Sequence, residues 1–371
     1  MKAIGVILAG GNNERLDKLT EKRASSAMPV GSCYRALDFP LSNMSNSGVG
    51  KVAVITQYNS RSLHDHASSS KWWDLGRKQG GLFIFSPYLS SHNNLWFRGT
   101  ADSLYQNLTY LERSKEPYVI IASGNGVYKF DYNDLIAYHE RKDAEVTIAY
   151  KLAREGEDLR HYGVLEVDGD DRVQNFEEKP LEPTSNLISM GVYVISRLQL
   201  IKLLRAVNAE GRYDLVEDVF MRYRKRIRIF GYKFNGYWRT LNSVKSYFEC
   251  NMDFLNRDVR ALFTKQFPFI ETKPKDEPPA KYNLGAVVSD CLVGSGAILN
   301  GTANHSIMFR KVYTGENSYV NNSIIMEGCY IGNNCVVENA ILDKEVVLSD
   351  GKQIRGASSE EPYIVSKGTV V

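Results

Sequence analysis

Cysteine, net charge and long apolar runs are all scarce in this sequence. Its 371 residues include five cysteines, Cys33, Cys250, Cys291, Cys329 and Cys335. The count is odd and the spacings match neither a disulfide scaffold nor a metal knuckle, so reduced, mostly buried thiols are expected. The six histidines show no ligand spacing, and structural or surface roles are expected for them. A formal net charge of +3 is too weak a bias to imply a nucleic-acid partner. No uncharged apolar stretch approaches the length that spans a bilayer, so no membrane association is expected. The start runs through Ala3 to Leu8 straight into Gly10-Gly11 and reads as a first strand, not a signal peptide. A cytoplasmic protein is expected. What is present is ordinary for a folded chain: 43% hydrophobic and 24% charged residues, with length enough for two cores.

Apolar runs at Ala3 to Leu8, Lys51 to Thr56 and Tyr118 to Ala122 are bounded by polar loops, as in a sheet buried on both faces. Between them, Ala101 to Glu112 places Leu104, Leu108 and Leu111 on one side of a helix, with Thr100 as its N-cap. Asp134 to Glu140 is a further helix, in front of the strand Glu145 to Ala149. This is a doubly wound α/β pattern. Tyr162 to Val167 and Arg172 to Phe176 predict a hairpin around Asp168-Gly169-Asp170-Asp171. Met190 to Ile195 should return to the main sheet. Leu241 to Leu255 predicts the last helix, burying Val244, Tyr247, Phe248 and Met252. The basic cluster Arg222, Arg224, Lys225, Arg226 and Arg228 reads either as a solvated helix end and strand or as part of an anionic-effector or subunit surface.

Lys273-Pro274-Lys275-Asp276-Glu277-Pro278-Pro279 is charged, proline-rich and aperiodic, which predicts a linker or extended crossover. Beyond it, Ile325, Ile331 and Val337 recur every six residues. Gly294, Gly328 and Gly332, with Asn321, Asn322, Asn333 and Asn334, fall at candidate corners that tolerate positive φ. A period of six fits a left-handed parallel β-helix, with its flat faces and ends available for subunit contacts. The domain plan is therefore 1–262, a linker over 263–282 and a β-helix over 283–371.

The loop Leu8-Ala9-Gly10-Gly11-Asn12-Asn13-Glu14-Arg15-Leu16 is neither a P-loop nor a dinucleotide fingerprint. It resembles the nucleotide-binding loop of sugar-nucleotide pyrophosphorylases. Further matches follow in order: Tyr34 to Asn43, Asn46-Ser47-Gly48, Thr56-Gln57-Tyr58, Gly99-Thr100-Ala101-Asp102, Gln106-Asn107 and Phe176-Glu177-Glu178-Lys179-Pro180. Ser189-Met190-Gly191 and Gly236-Tyr237-Trp238-Arg239 complete the set. Over nearly the whole chain the sequence resembles the bacterial glucose-1-phosphate adenylyltransferases, most nearly the glycogen biosynthesis subunit that accompanies a catalytic one. The resemblance implies a nucleotidyltransferase-like mixed sheet. It also implies a reaction in which the phosphate oxygen of glucose 1-phosphate attacks the α-phosphorus of ATP, assisted by a metal and phosphate-binding cations.

By the same resemblance, the nucleotide pocket would involve Gly10, Gly11, Asn13, Arg15, Gln57, Gly99, Thr100 and Asp102. Thr100 and Asp102 read equally well as a helix cap and first-turn acid. Glu178, Lys179, Ser189 and Gly191 would face the sugar phosphate, with His161 nearby. Two metal-holding aspartates of the family pattern are absent. Asn125 stands in Ser123-Gly124-Asn125-Gly126, and Thr240 follows Trp238-Arg239. Ser25 replaces a phosphate-attending lysine, Asn13 stands where glycine is common, crowding the phosphates or forbidding the needed backbone angles, and Lys18 stands where proline is usual. Magnesium demands hard anionic oxygens, which an amide and a hydroxyl do not supply. No catalytic residue, no resident metal and no firmly bound cofactor are therefore expected in this chain, with magnesium serving a catalytic partner. The expected role is a regulatory subunit in a heterotetramer with catalytic glucose-1-phosphate adenylyltransferase, modulated by a sugar-phosphate or nucleotide effector, with homo-oligomers when alone. Two alternatives stay open: an active adenylyltransferase with an atypical metal site, using acids such as Asp38 or Asp131, and a stand-alone sugar-nucleotide sensor.

Overall fold

The computed structural model describes residues 2–76, 80–88 and 96–371, so Met1 lies outside it. Among these residues nine strands form one mixed sheet. They are β1 (Ala3–Ala9), β2 (Lys51–Thr56), β3 (Gly81–Phe85), β4 (Tyr118–Ser123) and β5 (Val146–Leu152). β6 (Gly163–Val167), β7 (Val173–Glu178), β8 (Leu187–Ser196) and β9 (Ile229–Lys233) follow. Their order is β7-β6-β8-β4-β1-β2-β3, with β5 lying between β8 and β9. β1 runs parallel to both β2 and β4, whereas β8 is antiparallel to β4, β5 and β6. The period-2 geometry of β1 sends Ile4 and Val6 into one core and Ala3, Ile7 and Ala9 into the other. Both faces are covered, as the continuous apolar runs required.

The expected hairpin is β6–β7. The expected helix Ala101 to Glu112 is instead two, Thr100–Gln106 and Leu108–Glu112. The Asn107 side chain donates to the Ser103 carbonyl at 2.8 Å and interrupts the ladder between them. Helix Val244–Asp253 is followed by one the sequence reading left out, Arg257–Thr264, whose Asn256 side chain caps its first turn. Residues 265–280 carry neither helix nor strand.

Residues 281–371 wind into a three-sided parallel β-helix. Ile307 pairs with Ile324 and Ile324 with Ile341, so stacked coils are offset by 17 residues. The inward series Ile325, Ile331, Val337, Leu342 explains the number, because two sides advance six residues and the third five. Of the predicted corner residues, Asn322, Asn334 and Gly328 do adopt positive φ. Gly294 and Gly332 do not. Gly332 is needed for close approach instead, since a Cβ there would lie 2.4 Å from the Asp350 carboxylate. Asn321 and Asn333 bond to neighbouring coils.

One outer face of the β-helix packs on the first domain. Ile307, Ile324 and Ile341 share a core with Phe39, Tyr247, Phe248 and Phe263. Within this seam Arg23 and Asp343, at 4% and 1% exposure, form an ion pair of 2.6 Å. Removing one partner of a buried pair leaves an uncompensated charge and costs about 3–5 kcal/mol. Asp343→Ala is therefore expected to lower the urea unfolding midpoint strongly, and an unchanged midpoint would contradict the seam's energetic role.

His139 is fully packed, its Nδ1 2.8 Å from the Thr147 hydroxyl. Burial pushes its pKa down from 6.5 to about 4, against the opposing pull of Glu140 and Asp143. The folded state thus favours the neutral ring. Its stabilisation is complete above pH 6.5 and is lost as pH falls toward 4, by an amount on the order of 3 kcal/mol. Thermal unfolding across that window should show a shallower acid-side loss for His139→Gln than for the wild type.

Candidate active-site cavity

A cavity of about 760 Å³ opens beyond the carboxyl ends of β1, β2 and β4, where the parallel strands of an α/β sheet present their loops. Its floor is Gly10 and Gly11 after β1, Gln57 after β2, and Ser123 and Asn125 after β4. Gln57 is fixed by two bonds to the main chain of Phe97: its Oε1 accepts from the Phe97 N–H at 2.8 Å and its Nε2 donates to the carbonyl at 3.3 Å. Asn13, Arg15, Ser25, Gly99 and Thr100 also line the cavity, so most of the predicted nucleotide side converges.

Asp102 does not. It is 1% exposed and accepts hydrogen bonds from Arg98 and Gln106. It organises the wall from behind. Thr100 is likewise not the N-cap. Gly99 occupies that position, and the Thr100 hydroxyl accepts from Leu215 N–H at 2.8 Å and donates to Asp214 at 3.2 Å. Asn13 lines the cavity with an unstrained φ of −119°, and its side-chain amide donates to the Leu241 carbonyl at 3.1 Å.

The sugar side is built by a bulge. The register of β8 shifts between Ser189 and Val192, which turns Ser189 and Gly191 toward the cavity. Gly191 has φ +67°, and a Cβ there would lie 3.0 Å from the Ser123 Cβ. Glu178 and Lys179 line the same wall at the end of β7 and pair at 3.2 Å. Burial raises the Glu178 pKa, and the neighbouring Lys179 opposes that shift. His161 lines the cavity, as expected. Asp214, Tyr193 and Asn242 also do so and were missed, because no local spacing marks them. Among the described residues, three buried polar atoms on this side make no hydrogen bond: His161 Nδ1, Trp238 Nε1 and Asn242 Nδ2. Buried polar groups left unmet cost about 1–3 kcal/mol each, so this wall is not fully satisfied within itself.

The family's magnesium finds a poor donor set here. The ladder of Trp238–Thr240 against Gly126–Tyr128 pairs Thr240 with Gly126 and so brings Thr240 beside Asn125. Asn125 Oδ1 already accepts from the Ser123 hydroxyl at 2.6 Å, and its Nδ2 makes a longer bond of 3.4 Å to the Leu241 carbonyl. Both positions offer neutral oxygens, and an amide and a hydroxyl do not meet magnesium's preference for anionic ones. The alternative acids lie elsewhere. Asp38 is buried and accepts from the Arg35 N–H, with His66 2.5 Å away. Asp131 caps the helix Tyr132–Arg141. Asp214 lines the cavity but also caps the helix Leu215–Met221 through two backbone N–H groups.

A mixed sheet with a glycine loop at its crevice, followed by a hexapeptide-type coil, defines a nucleotidyltransferase with a C-terminal left-handed β-helix. Residues 4–257 match the nucleotidyl transferase family and residues 278–371 the GlmU-like C-terminal hexapeptide family. The chain is 38% identical to the glucose-1-phosphate adenylyltransferase of Bacillus subtilis (strain 168), covering 99% of this chain and 97% of that protein. It is also 38% identical to the Geobacillus stearothermophilus glucose-1-phosphate adenylyltransferase over 86% of this chain and 83% of that one. It belongs to the glucose-1-phosphate adenylyltransferase family. No helix among the described residues is long and apolar enough to cross a membrane.

Gly191→Ala combines a left-handed backbone angle with a tight contact to Ser123. A loss of about 1–3 kcal/mol is expected. Thermal unfolding checks it, and a variant as stable as the wild type would show that the bulge tolerates a side chain.

Proposed function

We propose that this chain is a regulatory, largely non-catalytic subunit of glucose-1-phosphate adenylyltransferase. It assembles with a catalytic subunit into a heterotetramer and modulates ADP-glucose synthesis from ATP and glucose 1-phosphate in glycogen biosynthesis. The observation that carries this reading is the pair Asn125 and Thr240, which line the cavity at the positions where the family pattern carries metal carboxylates. Ser25 in place of a lysine points the same way, because a hydroxyl brings no charge to a phosphate. The position of Asp38 and Asp131 outside the cavity weighs against a substituted metal site in an active enzyme. The sugar wall argues for retained ligand recognition. Glu178, Lys179 and the bulge at Gly191 suit a sugar phosphate acting as an effector. Any resident magnesium belongs to the catalytic partner.

Losing one preorganised electrostatic group typically lowers turnover by about a hundredfold to a thousandfold. The purified chain alone should therefore form ADP-glucose at least about a hundredfold more slowly than a catalytic relative. Mixed with its catalytic subunit, it should change maximal rate, substrate affinity or effector response. Robust turnover by the chain alone, free of contaminating enzyme, overturns the reading. The Asn125→Asp/Thr240→Asp double variant should recover measurable activity. If it does not, Asn13 and Ser25 are the next positions to restore.

A further inference from the structure

A second concavity, of about 820 Å³, lies at the far end of the helix Leu215–Met221. The two cavities share no lining residue. Asp214, Leu215 and Val216 face the first, and Glu217 and Met221 face the second. One wall of the second is the turn 224–226. Buried Met221 and Ile227 anchor the chain on either side of it. Bonds from Arg224 N–H to the Met221 carbonyl (3.3 Å) and from Arg226 N–H to the Tyr223 carbonyl (2.7 Å) hold its shape.

This turn presents Arg224, Lys225 and Arg226, all exposed. Among the described residues none of the three has an acidic partner, although their neighbours do. Arg222 pairs with Glu210 at 2.6 Å, Arg212 with Asp218 at 3.1 Å, and Arg228 with Asp143 at 3.0 Å. The lining holds five cations, the three on the turn plus Arg212 and Arg222, against Glu210 and Glu217. It therefore carries a formal charge of +3, five minus two. Glu210 and Asp218 are committed to Arg222 and Arg212, and among the described residues Glu217 on the rim makes no ion pair with the turn, so the like charges of the turn stand close together without a paired acid. Arg224 Nη1 donates to the Met221 carbonyl at 3.2 Å, and its remaining donors, the Arg226 guanidinium and the Lys225 ammonium on the rim of the hollow match a compact, multiply charged oxyanion. A phosphate group takes paired N–H donors from arginine and a point charge from lysine. The hollow favours a small ligand over the flat acidic surface of another protein.

We propose that this concavity binds a small anion bearing at least two phosphate charges, at a site separate from the nucleotide and sugar cavity. The site rests on its own geometry and stands whether or not the chain is catalytic. Isothermal titration of the full chain with inorganic pyrophosphate, without added magnesium, tests it. Saturable binding is expected, weakening as salt rises because the charges are exposed. The exposed triple variant Arg224→Gln/Lys225→Gln/Arg226→Gln should bind at least about tenfold more weakly while melting at the wild-type temperature. Arg15→Gln/Lys179→Gln, which removes two of the cations lining the first cavity and leaves Arg98, should keep the binding. The proposal is overturned if the wild type shows no saturable binding, or if the triple variant binds as well as the wild type. It also fails if binding disappears in Arg15→Gln/Lys179→Gln instead. Loss of association with a catalytic subunit in the triple variant, with pyrophosphate binding intact, would assign the turn to a protein contact and refute the anion site.

Discussion

The carbonyl oxygen of Leu241 accepts the side-chain amides of both Asn13 and Asn125. That shared oxygen ties the first loop, the end of β4 and the chain after Trp238–Thr240 into one neutral unit. Carboxylates at the positions of Asn125 and Thr240 would repel each other and draw in a cation to hold them together. Neutral groups need no such ion, because an amide carries its own donor and acceptor and finds partners within the protein. The Ser123 hydroxyl completes the unit by donating to Asn125. Gly191 lies against Ser123, so the bulge of β8 and the former metal position form one continuous wall. The strand end and the two loops are thus held together by hydrogen bonds between neutral groups.

The same asymmetry runs across the cavity. Ser25, Asn125 and Thr240 give one side of the cavity neutral oxygens and amides. The wall beyond Glu178 and Lys179 keeps its polar groups, three of them making no hydrogen bond among the described residues. The seam with the β-helix combines an extended apolar contact with the buried pair Arg23–Asp343. Arg23 lies two residues before Ser25, so the chain that enters the seam also enters the cavity wall. This continuity gives contacts at the β-helix a short covalent route to the cavity.

Much of this was legible in the residues. Uninterrupted apolar runs marked β1, β2 and β4, because a strand covered on both faces has no polar side. The six-residue recurrence of Ile325, Ile331 and Val337 marked the coil, because each short side admits one aliphatic residue. Most of the proposed pocket residues do meet at one cavity. The failures are local competitions that a pattern does not reveal. Asn107 divides a helix by bonding to a carbonyl one turn back. Asp102 read equally as a pocket residue and as a first-turn acid, and it is the latter, buried against Arg98. Asp214 looked like nothing, yet it reaches the cavity from a segment more than a hundred residues beyond Thr100.

By itself the sequence determined the kinds of chemistry available: two alternating architectures, a glycine loop at a strand end, and an amide and an alcohol where the family pattern has carboxylates. Those are properties of residue type and spacing, and they survive without coordinates. Only the tertiary structure decided which groups satisfy one another. It turned Asn13 and Asn125 toward one carbonyl, sent Asp102 behind the wall, and among the described residues left Arg224, Lys225 and Arg226 without an ion pair while pairing their neighbours. The physical reason is that hydrogen bonds and ion pairs act over a few ångströms in space, and the fold brings together residues that the chain holds far apart.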